Sequence, residues 1–205
     1  MRKYNVMAAA LLMVAAFAAP AFAQFEERDT LPRFDAGIFF DLNFRGTRGQ
    51  AGGNQFAFTN SPSGGLRLDY RLTGTLTLGA FGSYTRAKEK LKGGDTVIPP
   101  DARLTVIQVG GELLIRVKPR IPGYFILGGG AQLVDPEGDL AFTGSESFTE
   151  PFGVAGAGYE FASTRRRAFR LNFRLYLINP SDQVNYEPKS IEVDFVLGAA
   201  FIIRF

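Results

Sequence analysis

Cysteine, histidine and tryptophan are all missing from this chain of 205 residues. Without cysteine there are no disulfide bonds, thiolate metal ligands or thiol nucleophiles. Without histidine the chain lacks the side chain that most often serves as a general base or a metal ligand. Acyl-transfer chemistry of the Ser-His or Cys-His type therefore has no base. We predict no catalytic residues, no metal site and no cofactor.

The chain also carries little net positive charge. The formal net charge is +3, and removing the first 23 residues, which include Arg2 and Lys3 but no acid, lowers it by two units. Binding to nucleic acid depends strongly on releasing counterions from phosphates, which requires a cationic surface. We therefore expect no nucleic acid partner.

The amino-terminal segment has the pattern of an export signal. Arg2 and Lys3 precede an apolar stretch over 6–17, and Ala21-Phe22-Ala23 is a small-x-small cleavage site. We predict that residues 1–23 are a signal peptide cleaved after Ala23, and that residues 24–33 form a polar periplasmic lead-in. A membrane anchor is the competing interpretation, but the stretch is short and Pro20 interrupts it.

The carboxy-terminal segment alternates strictly between apolar and other residues. Its apolar positions are Ile191, Val193, Phe195, Leu197, Ala199, Phe201, Ile203 and Phe205. Because successive side chains of a strand point to opposite faces, one face of this strand is entirely apolar. A soluble strand usually has about 5–6 residues, whereas a tilted membrane-spanning strand needs about 9–11. The segment therefore indicates a membrane-spanning strand.

Similar patterns recur along the chain and predict an all-β fold. The predicted strands are 34–45, 66–72, 76–84, 103–117, a fifth from about 124, 148–161, 169–177 and 191–205. The connections alternate between longer loops (46–63, 87–102, 135–147 and 179–188) and short turns. Outer-membrane barrels have short periplasmic turns and longer external loops. We predict a closed, eight-stranded, antiparallel up-and-down transmembrane β-barrel over residues 34–205, with the facing of the fifth strand left ambiguous.

Alternation alone does not decide which face of the barrel points inward. In a soluble barrel such as a lipocalin, the apolar residues would fill the lumen. Here charges such as Asp41, Glu112 and Arg174 occur in mid-strand, opposite long and continuous apolar faces. An arginine or lysine facing lipid at the membrane midplane costs about 2–4 kcal/mol. We therefore predict that the apolar faces contact lipid and that the charges line the lumen.

Eight strands leave an interior just wide enough to be filled by side chains, so the charges inside should pair. We predict a lumen charge network drawn from Asp41, Arg67, Asp69, Arg71, Glu112, Arg116, Arg170, Arg174, Glu192, Asp194 and Arg204. If Ile178 and Ser190 are opposed where the last two strands meet their loop, Arg174 lies opposite Asp194 and Tyr176 opposite Glu192. The network either satisfies a polar interior or forms an evolved gate, and pairing is required in both cases.

On these features the chain resembles the eight-stranded outer-membrane β-barrel family of the outer-membrane protein A barrel-domain and protein X type. The resemblance covers residues 34–205 and includes an ending similar to the family's assembly signal. The signal residues are Phe201, Ile203 and Phe205. The resemblance implies recognition by the barrel-assembly machinery and a location in the outer membrane. Outer-membrane lipid and lipopolysaccharide are the other expected partners, and we expect a monomer.

Three functions remain open from the sequence. The first is a non-enzymatic membrane protein whose external loops serve envelope integrity or surface interaction, because loops on a rigid scaffold usually carry function. The second is a narrow channel for small solutes, although a filled lumen argues against large flux. The third is a lipid-modifying barrel enzyme, which the absence of histidine disfavours.

Overall fold

The computed structural model describes most of the chain from Phe34 to Phe205. The described residues are 34–51, 54–92, 103–117, 122–137, 146–161, 166–180, 187–188 and 191–205. The predicted signal peptide and periplasmic lead-in lie outside these ranges. Within these ranges no helix is long and apolar enough to cross a membrane.

The described residues fold into eleven β-strands. Their bounds are β1 (Phe34–Phe44), β2 (Thr47–Ala51), β3 (Asn54–Phe58), β4 (Ser61–Arg71), β5 (Leu76–Lys92), β6 (Arg103–Arg116), β7 (Gly123–Glu137), β8 (Phe148–Phe161), β9 (Arg167–Ile178), β10 (Glu187–Pro188) and β11 (Glu192–Arg204). Eight of them, of 11 to 17 residues, are long enough to cross a membrane when tilted.

The eight long strands form a closed antiparallel barrel, as the alternation predicted. They follow the order β1, β4, β5, β6, β7, β8, β9 and β11, and each pairs with the next. Strand β11 pairs back onto β1 from Asp35↔Arg204 to Phe44↔Phe195, which closes the cylinder. Closure leaves no barrel strand with an unpaired edge.

The apolar faces of the strands lie on the outside of the barrel and the charged faces lie inside. Phe40 and Phe195 are 54% and 47% exposed, whereas Asp41 and Arg174 are 4% and 2% exposed. The structure therefore has the predicted sidedness, and the lipocalin-like arrangement is wrong.

The two ends of the barrel differ, because connections of different length lie at each. The turns after β4, β6 and β8 are short, and we call this end the short-turn end. The connections after β1, β5, β7 and β9 are longer, and we call the opposite end the long-loop end. At the short-turn end, the Phe205 N–H donates to the Phe34 carbonyl oxygen across 2.8 Å.

The predicted loop boundaries at the long-loop end were partly wrong. The predicted loop 46–63 contains the hairpin of β2 and β3, and β4 begins at Ser61 rather than Leu66. Residues 87–92 of the predicted loop 87–102 belong to β5, which pairs with β3 from Glu89 to Lys92. Glycine, asparagine and charged residues hid these strands, because they carry no apolar alternation.

The predicted register between the last two strands was wrong by two residues. Glu192 lies opposite Ile178, and Asp194 lies opposite Tyr176. Arg174 lies opposite Val196 instead of Asp194. A shift of two residues keeps every side chain on its own face, so alternation does not detect it.

The ambiguous fifth predicted strand, β7, has one clear inner face in the structure. Tyr124, Ile126 and Gln132 are buried inside the barrel, whereas Phe125 and Leu133 are exposed outside. Apolar residues occupy both faces because the lumen is itself partly apolar on this side. Pairing with β6 and β8 therefore decides the facing of β7.

One glycine leaves room for a charge pair in the lumen. A Cβ atom built on Gly198 would overlap with the Asp41 carboxylate, and Arg174 lies just beyond. Gly153, on the outward face of β8 between the buried Phe152 and Val154, has open space where its Cβ would be. The two positions therefore form a matched pair for substitution.

We expect Gly198→Ala to lower the free energy of unfolding by about 1–3 kcal/mol, because a forced methyl group displaces neighbours in a packed interior. Urea titration, read by the mobility of unheated protein on gels, measures this change. Gly153→Ala should leave the midpoint nearly unchanged. Equal midpoints for both variants would contradict the close packing around Gly198.

Candidate functional site

A cluster of charged side chains fills the lumen at the short-turn end. This short-turn cluster consists of Asp35, Asp69, Arg71, Arg116, Glu160, Arg170 and Arg204. At its centre Arg170 of β9 donates to Asp69 of β4 across 2.5 Å. These two strands are three positions apart around the barrel, so the ion pair crosses the lumen.

Arg170 also holds two further carboxylates. Its Nη2 lies 3.1 Å from Asp35 Oδ2, and its Nε lies 2.8 Å from Glu160 Oε2. Glu160 in turn accepts from Arg116 and Arg204, at 2.9 and 2.5 Å. Because planar guanidinium groups donate in several directions, one arginine links carboxylates from β1, β4 and β8.

A second group of charges, the central cluster, lies next along the lumen. It consists of Asp41, Arg67, Glu112 and Arg174. Arg174 Nε lies 2.9 Å from Glu112 Oε1, and its Nη1 lies 3.5 Å from Asp41 Oδ2. Arg67 contacts Glu112 and also Asp69, so the two clusters are continuous.

A row of aromatic rings crosses the lumen next to the central cluster. Phe39 contacts Phe81, Phe81 contacts Phe152, and Phe152 contacts Tyr176, with ring centroids 6.4, 6.3 and 5.2 Å apart. These rings belong to β1, β5, β8 and β9, so the row extends from one wall to the other. Such contacts add about 0.5–1.5 kcal/mol each beyond the burial of area.

A third group of charges, the long-loop cluster, lies beyond the aromatic row. It consists of Arg45, Arg48, Glu150, Glu192 and Asp194. Arg48 comes from the hairpin of β2 and β3 rather than from a barrel strand, yet its side chain is fully buried. It lies 2.7 Å from Glu150 and 3.1 Å from Glu192.

The local structure of the hairpin explains why Arg48 points inward. The register between β2 and β3 shifts between Thr47 and Gly49, which is a β-bulge at Arg48. Bulges re-aim a side chain relative to the regular alternation. The Arg48 guanidinium also lies over the Phe58 ring, 4.0 Å from its centroid. The buried Arg48 cation therefore adds to the pairing of β3 with β5 in attaching the hairpin to the barrel wall.

Amide and hydroxyl groups complete the polar lining of this end. Gln132 donates to Glu150 across 2.7 Å, and Gln108 donates to Gln132 across 3.1 Å. Ser83 donates to Gln108, so a hydrogen-bonded chain runs from β5 to β8. Arg45 lies 3.1 Å from Asp194, which also accepts from the Gly46 N–H.

The structure places all eleven residues of the predicted lumen network inside the barrel, but divides them between separate clusters. Nine lie in the short-turn and central clusters, whereas Glu192 and Asp194 lie beyond the aromatic row. Asp194 therefore pairs with Arg45 instead of Arg174, and Glu192 pairs with Arg48. The predicted opposition of Arg174 and Asp194 is wrong for this reason.

Sequence reasoning missed five members of the three charge clusters, namely Asp35, Arg45, Arg48, Glu150 and Glu160. Asp35 and Arg45 lie on the polar face of the first predicted strand, so its alternation did indicate that they face the lumen. Glu150 and Glu160 lie on β8, where glycine and alanine blur the pattern. Arg48 lies in a segment without alternation, and no sequence signal indicated it.

Outside the lumen, an exposed ion pair lies near the rim of the long-loop end. Arg86 of β5 lies 2.7 Å from Glu137, the last residue of β7. Hydrogen bonds from Arg86 lower the pKa of the Glu137 carboxyl group below its usual range. Solvent screens such pairs, so this contact contributes less to stability than the buried ones.

The residues of the predicted assembly signal lie on the outer surface. Phe201, Ile203 and Phe205 are 37%, 44% and 71% exposed. Their role in assembly stays a prediction. Within the described ranges, no group of three or more acidic side chains is arranged to hold a metal ion.

The sequence of the chain matches a known family over nearly its whole length. Residues 9–198 match the model of the outer membrane protein beta-barrel domain. The chain therefore belongs to this family and is an outer-membrane protein. No curated protein is similar enough in sequence to match it.

Solved outer-membrane barrels have the same fold at low sequence identity. Neisserial surface protein A is 17% identical, with a TM-score of 0.52 over 84% of this chain and 97% of that one. OprG from Pseudomonas aeruginosa is 12% identical, with a TM-score of 0.51 over 85% and 97%. AlkL, solved in DMPC lipid bilayers, is 13% identical, with a TM-score of 0.54 over 85% and 92%. At these identities the similarity shows the fold alone.

We expect Arg170→Met to lower the free energy of unfolding by about 3–5 kcal/mol, because it leaves three buried carboxylates without their shared partner. Urea titration of the purified barrel in detergent measures the loss. Arg86→Met is the matched control and should have little effect, since its partner Glu137 is exposed to solvent. A similarly small effect of both variants would show that the short-turn cluster is not held by Arg170.

Proposed function

We propose that this protein is a non-enzymatic outer-membrane barrel with a sealed polar lumen. The rigid barrel body and the external loops act in envelope integrity or in surface interaction. The observation that carries the proposal is the filling of the lumen at successive levels. Two connected charge clusters, an aromatic row and a third charge cluster together occupy it.

The contacts across the lumen support the sealed state. Arg170 reaches Asp69, and Arg174 reaches Glu112, each from three strands away around the barrel. Both arginines are at most 2% exposed. A continuous water path would require several such buried ion pairs to separate, and each separation exposes a charge to a poorly solvating interior.

The same contacts disfavour an enzyme. The buried carboxylates and arginines are occupied with one another, and the chain has no histidine to act as a base. This supports a structural role for the charges.

The external surface is where we place interaction with partners. The hairpin of β2 and β3 extends the barrel wall at the long-loop end through its pairing with β5. We further propose that the surrounding partners are outer-membrane lipid and lipopolysaccharide, that the barrel-assembly machinery inserts the chain after signal cleavage, and that the protein works as a monomer. The lipid-facing residues of β11 support the assembly role.

A gated narrow channel is the second candidate, and one observation favours it. Glu150, Glu192 and Asp194 on the barrel wall are neutralised by arginines that follow β1, and Arg48 belongs to a hairpin. If the hairpin swung away, the mouth would become acidic and attract cations. The aromatic row would still have to open before ions crossed.

We expect purified wild-type protein to give no sustained current in planar bilayers, because the lumen is filled. Arg48→Ser should also stay silent, since the aromatic row and the two lower clusters remain. A porin in the same bilayers checks that insertion and recording work, and the mobility of unheated protein checks that the variant is folded.

Sustained current through the wild type would overturn the sealed lumen. Current through Arg48→Ser alone, selective for cations, would replace it with the gated channel, because only the hairpin contact differs between the two proteins.

We also expect the barrel body and the hairpin to serve separable roles. Replacing residues 47–58 with a two-residue Gly-Ser turn should leave a barrel that assembles and restores the detergent resistance of cells lacking the protein. Attachment of the same cells to surfaces should not be restored, because the hairpin that extends the barrel wall at the long-loop end is gone. Full restoration of both properties would show that the hairpin has no interaction role.

A further inference from the structure

A lateral pocket opens on the outer wall of the barrel at the long-loop end. Its volume is about 380 Å³, at the low end of the range of small-molecule sites. Phe44 of β1 and Val193 and Phe195 of β11 line one side. The hairpin and the extension of β5 provide the other side, where Asn60 and Lys90 lie.

The two sides of the pocket differ in chemistry. Phe44, Val193 and Phe195 are 41%, 38% and 47% exposed and continue the apolar outer face of the barrel. Lys90 is exposed on the outer face of β5, beyond the part of that strand needed to cross a membrane. The Asn60 carboxamide oxygen accepts from the Arg45 N–H, which leaves the carboxamide N–H groups for a ligand.

The charge of the lining selects the kind of occupant. Among the described residues that line the pocket none is acidic, and Lys90 supplies an exposed ammonium group. An apolar wall at the depth of the acyl chains, with a cation and an amide donor at its outer end, matches an amphiphile with an anionic head. The long-loop end faces the exterior in outer-membrane barrels, so this amphiphile lies in the outer leaflet.

We propose that this pocket binds a phosphorylated glycolipid of the outer leaflet. An acyl chain packs on Phe44, Val193 and Phe195, a phosphate accepts from Lys90, and sugar oxygens accept from Asn60. The inference rests on the membrane orientation and lipid partners proposed above. It does not depend on whether the lumen is sealed.

The absence of tryptophan from the chain permits a direct test. Phe195→Trp places a single reporter in the pocket, and Phe44→Trp is a second reporter in case the first disturbs the site. Each variant is reconstituted in vesicles of phosphatidylcholine brominated on its acyl chains, which quench tryptophan on contact. Unbrominated bisphosphorylated lipid A is then titrated in, and it relieves quenching where it displaces the brominated lipid.

We expect lipid A to restore tryptophan fluorescence in the pocket more than an equal mole fraction of unbrominated phosphatidylcholine does. The unbrominated phosphatidylcholine restores fluorescence only by diluting the brominated lipid. Adding Lys90→Gln should weaken the relative binding constant of lipid A by about fivefold, the contribution of one lysine at an anionic membrane surface. Lys88→Gln is the matched control, because Lys88 lies on the same face of β5 but does not line the pocket. It should leave the binding constant unchanged.

Further measurements distinguish the different results that would contradict the inference. Equal relief by phosphatidylglycerol would reject the glycolipid in favour of a phospholipid. Relief no greater than dilution, or the same relief with Lys90→Gln, would reject the site altogether. Phe40→Trp, on the outer wall away from the pocket, should be quenched and respond only to dilution. Absence of quenching there would reject the membrane placement itself, rather than the pocket.

Discussion

The structure depends on one constraint: lipid accepts neither unpaired backbone polar groups nor charges. A sheet in such a solvent must close, because an edge strand would leave its N–H and C=O groups without partners. The pairing of β11 with β1 meets this requirement. The same constraint assigns each side chain to a face, so that Phe40 contacts lipid while Asp41, its neighbour, enters the lumen.

Sending the charges inward creates a second problem, because eight strands enclose little water. A buried charge is tolerated only when it is paired and hydrogen-bonded. In the lumen each charge pairs with several partners: Arg170 contacts three carboxylates, and Glu160 accepts hydrogen bonds from three arginines. Replacing such a group by apolar residues is often neutral or stabilising, so the pairs are weak evidence for stability alone. Their effect here is to connect strands that are not neighbours and to fill the lumen.

The long-loop end follows a different principle. There the acidic side chains on the barrel wall pair with Arg45 and Arg48, which lie in the chain segment that follows β1. The bulge at Arg48 aims its side chain inward, and Phe58 covers the guanidinium. The hairpin that results also builds one side of the lateral pocket. A single local irregularity in β2 is thus associated with both the closed mouth and the outward-facing site.

The sequence by itself determined the number of long strands, the order of long and short connections, and the face on which residues such as Asp41 and Phe195 lie. These properties are local, since alternation and turn composition are read from a few neighbouring residues. The tertiary structure alone decided that Arg174 meets Glu112, that Asp194 meets Arg45, and that Arg48 enters the lumen. Partners across a barrel depend on the stagger between strands, and a shift of two residues changes them without moving any side chain to another face.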